Sequence, residues 1–120
     1  MKYEPKIVKS EQYNGYEYFI VYVDGAWYCA YVIIPKGHYL YGVYHDDIQN
    51  IETHGGFTFS DYHRLVNNQW CIGWDYAHGG DYLPFFGENQ EWFGMPCHKW
   101  TVKEIEGDCK YVIDQLNGDE

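Results

Sequence analysis

The chain opens with about fourteen mostly polar residues, which read as a loose lead-in. Residues 16–23 are rich in Tyr, Phe, Ile and Val, the composition of a strand. Asp24-Gly25 has the signature of a tight hairpin turn, and residues 26–34 form the partner strand. Pro35-Lys36-Gly37 stops that strand, because Pro removes a ladder donor and Gly turns the chain. Residues 48–53 read as a short strand, with Gly55-Gly56 as a bulge before residues 57–60 continue it. Residues 61–68 are polar and end in the turn signal Asn67-Asn68. Residues 69–76 form another strand, in which Trp70, Ile72 and Trp74 alternate with Cys71 and Gly73.

Residues 77–99 have no period, and a Gly-, Pro- and aromatic-rich segment of that length inside a compact domain is usually functional or mobile. Thr101 and Glu104 then match a capping box. Val102, Ile105, Cys109, Val112, Ile113 and Leu116 recur at helical spacing, and Asn117-Gly118 ends the run. The expectation is one α+β domain over residues 1–120. It is a twisted antiparallel sheet of about four to five strands, with one C-terminal helix over 101–117 packed on it.

Composition sharpens this picture in four ways. Hydrophobic residues make up 46% of the chain, enough for a core. Aromatics reach 21%, with fourteen Tyr and five Trp, a surplus that fits either ligand stacking or a homodimer interface. The formal net charge is −10 and Arg64 is the sole arginine, so the chain cannot lay the cationic track that direct nucleic-acid binding needs. Acidity instead permits competition for a basic surface on another protein. Cys29, Cys71, Cys97 and Cys109 form no C-x-x-C pair, and neither a signal peptide nor a membrane-length apolar run is visible. Reduced thiols and a cytoplasmic location are expected.

Candidate chemistry gathers at the ends of two of the predicted strands. His54-Gly55-Gly56-Phe57-Thr58-Phe59-Ser60 is answered by Gly73-Trp74-Asp75-Tyr76-Ala77-His78-Gly79-Gly80-Asp81. Taken singly, each His is readable as a turn-bonding residue. Together, two His/Gly clusters at neighbouring strand ends point to a site. His54, His78, Asp75 and Asp81 are the candidate acid–base groups, and the same four would be the ligands if a divalent metal binds. Gly55, Gly56, Thr58, Ser60, Lys36 and His38 are candidate ligand contacts, with paired glycines offering backbone N–H groups to an anion. Trp74 and Tyr76 are candidate stacking faces for a base.

These segments, with the run from Tyr31 to Gly42 that contains Pro35-Lys36-Gly37-His38, resemble a family of small phage- and prophage-encoded proteins. Its recurring patterns are approximately P-x-G-H-P-L-Y-G, V-H-G-G-L-T-Y-S and G-F-D-x-A-H-x-G-D. The similarity covers roughly residues 26–117, with departures at Tyr39, Phe57 and Trp74. The resemblance implies a phage context, in the cytoplasm of an infected or lysogenic bacterial host. By analogy it implies an anti-defence protein that binds and hydrolyses a nucleotide-derived immune signal. Two alternatives stand beside this: a sponge that sequesters such a signal without turnover, and an acidic protein that blocks a nucleic-acid-binding defence complex of the host.

Overall fold

A computed structural model describes residues 4–118. Five antiparallel strands form a twisted sheet: β1 (Pro5–Tyr13), β2 (Tyr16–Val23), β3 (Trp27–Ile33), β4 (Phe59–His63) and β5 (Gln69–Asp75), in the spatial order β1-β2-β3-β5-β4. A two-stranded hairpin of β6 (Glu91–Trp92) and β7 (Met95–Pro96) stands apart, and α1 (Val102–Leu116) lies across the sheet. The architecture is α+β with an open sheet, as the pattern predicted.

Alternation along the strands sorts side chains to two faces. Tyr18, Ile20, Ala30, Val32, Ile72 and Trp74 face the helix and bury against Ile105, Cys109, Val112 and Ile113. Phe19, Val21, Ile33 and Cys71 take the other face, covered by Tyr31, Phe59, Leu65 and Val66. The helix start follows the sequence signal: the Thr101 hydroxyl accepts from the Glu104 N–H at 3.2 Å, and the Glu104 carboxylate accepts from the Thr101 N–H at 2.9 Å.

Three local expectations are corrected. Within the lead-in, Pro5–Tyr13 is an edge strand, paired through the Asn14-Gly15 turn to β2; residues 1–3 lie outside the described residues. Residues 48–53 form no strand; Ile48 and Ile51 pack against the core from an irregular segment. Gly55-Gly56 is a turn and not a bulge, with the Gly56 N–H donating to the Thr53 carbonyl at 3.2 Å.

Strand direction positions the site. Cys29 pairs with Asp75 and Ile33 with Cys71, so the exit of β5 lies beside the entry of β3. Phe59 pairs with Gly73, which brings the segment before β4 to that same end.

Candidate functional site

Asp81 is the centre of the cluster. It is 4% exposed, the single buried charged residue among those described. Such a carboxylate needs donors, and it has three. Oδ2 accepts from His54 Nε2 and from the His78 backbone N–H, both at 2.9 Å, and Oδ1 accepts from Trp100 Nε1 at 2.8 Å. Burial pushes the Asp81 carboxyl up, but these hydrogen bonds outweigh it and leave the group below its ordinary value. An ionised Asp81 only accepts, so His54 Nε2 carries the hydrogen of this bond.

The His54 ring is fixed on two sides. It stacks on Tyr76 with centroids 4.6 Å apart and planes 10° apart, and meets Trp100 edge-on at 4.8 Å. Tyr76 is itself anchored: its hydroxyl accepts from Trp74 Nε1 at 3.0 Å and donates to Asp108 Oδ2 at 2.7 Å.

A second pair lies alongside. His78 Nε2 sits 3.2 Å from Asp75 Oδ1, buried and off the line of a hydrogen bond. Asp75 is held by the Ala77 N–H at 3.1 Å on Oδ1 and by the Thr58 hydroxyl at 3.0 Å on Oδ2. The His54 and His78 ring centroids are 5.8 Å apart. Two imidazoles, each beside its own carboxylate, thus stand together at the β5 exit.

Gly55 makes this closeness attainable. Its φ is +68°, and a Cβ there would lie 2.4 Å from His78 Cδ2. Gly79 plays the same part for Trp92, whose Cζ2 would lie 2.4 Å from a Cβ. The glycines therefore admit rings against the backbone.

The structure brings His54, His78, Asp75, Asp81, Thr58, Gly55 and Gly56 together at one end of the sheet. The remaining candidates are not presented there as ligand contacts. Trp74 and Tyr76 are 1% and 2% exposed, so both belong to the core beneath the site. Ser60 stands opposite Ile72 within the sheet, its hydroxyl buried and without a hydrogen-bond partner. Lys36 and His38 follow β3 and lie at the opposite end of the sheet from Asp75. There His38 clasps a loop, with Nε2 2.8 Å from the Tyr16 hydroxyl and Nδ1 accepting from the Leu40 N–H at 3.1 Å. Burial holds His38 below its ordinary value.

Among the described residues no three His, Cys, Asp or Glu side chains gather in a way that could hold a metal ion. The reason is local. Both oxygens of Asp81 are committed to protein donors, and each imidazole Nε2 is turned to its own carboxylate. As placed, the four side chains do not converge on one position for a divalent metal.

Two hollows flank the pairs. One of about 420 Å³ runs past His78, Gly79, Gly80 and Asp81 to Trp92 and Gln90. The other, of about 240 Å³, is lined by Glu52, Thr53, His54, Trp100, Asp108 and Tyr111. Trp100 and Asp108 are residues the sequence did not single out. The one available signal was the position of Trp100, directly before the Thr101 cap, where the helix start fixes it.

Compared with models of protein families, with curated proteins and with solved structures, the chain shows no significant match. Among the described residues no helix is long and apolar enough to cross a membrane.

Proposed function

We propose that this chain is a phage-type anti-defence protein that binds a nucleotide-derived signal and hydrolyses it with the His54–Asp81 and His78–Asp75 pairs. One observation carries the reading: two imidazoles 5.8 Å apart, each set against its own carboxylate. Hydrolysis of a phosphodiester or phosphoanhydride needs a base to take a proton from the attacking water and an acid to give one to the leaving oxygen. Two neighbouring imidazoles divide those tasks. Water oxygen bonds to phosphorus, its proton passes to one ring, the bond to the leaving oxygen breaks, and that oxygen takes a proton from the other ring. Protonation of an imidazole cancels its carboxylate, so an anionic ligand meets a neutral pair instead of a bare acid. The 420 Å³ hollow beside His78 is of the size that small-ligand sites have, and Trp92 lines it.

The test incubates the purified chain with cyclic mononucleotides, cyclic dinucleotides and ADP-ribose derivatives, heats it and chromatographs what is released. The expected result is a hydrolysed product from the parent protein. His54→Ala should release intact ligand, with turnover down about 100-fold or more. Intact ligand released from the parent would replace the hydrolase with a sponge, and no retained ligand at all would overturn both.

A second reading, an acidic protein that blocks a nucleic-acid-binding defence complex, is favoured by a different observation. Phe93 and Met95 project from the β6–β7 hairpin, with Phe93 89% exposed at φ +50°, a conformation a bulky residue rarely holds. Inhibition of a host defence that survives His54→Ala with His78→Ala would select it.

A further inference from the structure

A third hollow shares Tyr76 and Trp100 with the surroundings of His54. Its walls are Tyr22, Trp27, Tyr28, Tyr82, Trp100 and Lys99, with buried Ala26 at its base. The β2–β3 hairpin supplies one side, and the returning segment before α1 supplies the other. Its volume is about 150 Å³. A cavity of roughly that size admits one benzene-sized ring. Beyond Ala26 and Trp27 it continues into an apolar groove that ends at Phe85. Tyr22, Trp27, Tyr28, Tyr82 and Trp100 are partly buried and Lys99 is exposed; Tyr22 already meets Tyr28 at 4.7 Å and Trp27 meets Phe85 at 6.4 Å, and what remains of these ring surfaces lines the hollow.

Two kinds of ligand suit aromatic walls. A cation can sit over the ring faces, or a flat ring can stack against them or meet them edge-on. Lys99 decides between the two. Its Nζ already stands 4.8 Å from the Tyr82 ring centroid, where a ligand cation would go. A second cation is repelled there, and an anion is drawn in. Lys99 is also one of only eight Lys and Arg against eighteen Asp and Glu, so an anion has few other places on this molecule to bind.

We infer that this hollow takes the base of a nucleotide, its ring held between Trp27, Tyr28 and Trp100 and its phosphate at Lys99. The ligand class rests on the nucleotide reading above, but the chemistry does not, because nothing here requires turnover. The two are joined physically: Tyr76 and Trp100 wall this hollow and also pack against His54.

The experiment titrates UMP, uridine, inorganic phosphate and tetramethylammonium into the full chain, read by tryptophan fluorescence and calorimetry. UMP has no diester for the His–Asp pairs to cleave. A failure of hydrolysis therefore leaves this result standing, and a failure here leaves hydrolysis standing. UMP is expected to bind and quench fluorescence, with uridine weaker and phosphate alone much weaker. Lys99→Gln, at an exposed position, should abolish the advantage of UMP over uridine. Trp27→Leu should weaken UMP and uridine alike by about fivefold or more, the worth of one base stacked on an aromatic ring. No UMP binding, UMP binding indifferent to both substitutions, phosphate binding as tightly as UMP, or preferential uptake of tetramethylammonium would each overturn the inference.

Discussion

At the scale of single residues, the paired glycines read differently once their surroundings are known. In the sequence they suggest backbone donors for an anion. In the structure Gly55 and Gly79 leave room for a ring, and Gly73 does the same inside the sheet, where Tyr31 lies across it. Gly55 and Gly56 make a natural pair for testing this. Both have positive φ, +68° and +83°, so Ala is strained at either. Only at Gly55 would a Cβ also strike the His78 ring; at Gly56 nothing lies within 4 Å. Gly56→Ala should cost about 1–2 kcal/mol from its backbone alone. Gly55→Ala should cost more, by about 1–3 kcal/mol for overpacking, and should drive His78 away from Asp75. Urea unfolding gives the difference, and the His78 imidazole NMR shifts should move in Gly55→Ala only. Equal costs with unmoved shifts would remove the packing role.

At the scale of elements, legibility followed burial. The helix was readable because a single apolar stripe and a complete capping box act on the same fifteen residues. Thr101→Ala tests the cap: it should cost about 1 kcal/mol in urea or thermal unfolding, with Thr101→Ser restoring most of it. The adjoining Trp100 Nε1–Asp81 bond should loosen with it, visible as a shift of the Trp100 indole N–H resonance.

Strand β1 was hidden because it is an edge strand whose inward positions are polar. Lys9 lies 4.0 Å from Glu106, and Glu11 accepts from the Tyr18 hydroxyl, so its pairing surface shows no apolar alternation. The turn Asn14-Gly15, with φ 48° and 90°, was the signal present. The site was partly legible for a directional reason. The start of β4 and the exit of β5 meet because the strands run antiparallel, and so His54 meets His78. The same rule sends the exit of β3 the other way. Lys36 and His38 look like members of the site in a linear pattern and are not neighbours of Asp75 in the sheet. Asp81 was legible as a carboxylate near the site; its burial was not, because the donor Trp100 arrives from nineteen residues away.

At the scale of the whole molecule, Asp81 ties together the segment before β4, the exit of β5 and the approach to α1. The fold should therefore depend on the charge of this one group. Its native carboxyl lies below its ordinary value, so it stabilises the fold above that value, and the contribution is lost as pH falls through the lowered one. His38 and His63 act at higher pH. Burial holds both below their ordinary 6.5, joined at His63 by the nearby Arg64 charge. Below that value the unfolded chain takes up protons that the folded chain resists, and stability falls. Acidification should thus weaken the fold in two stages, first from the histidines and then from Asp81. Relief of the −10 net charge works in the opposite direction, so the parent curve alone does not isolate either stage. Asp81→Asn does. It should be less stable than the parent at about pH 7, and the gap should narrow as pH falls below the ordinary carboxyl value of about 4, because the parent carboxylate is neutralised on that side and Asn has nothing to titrate. Urea unfolding at several pH values reads the gap directly. A gap that does not narrow at all on acidification would mean that the buried carboxylate contributes shape and not charge to the junction.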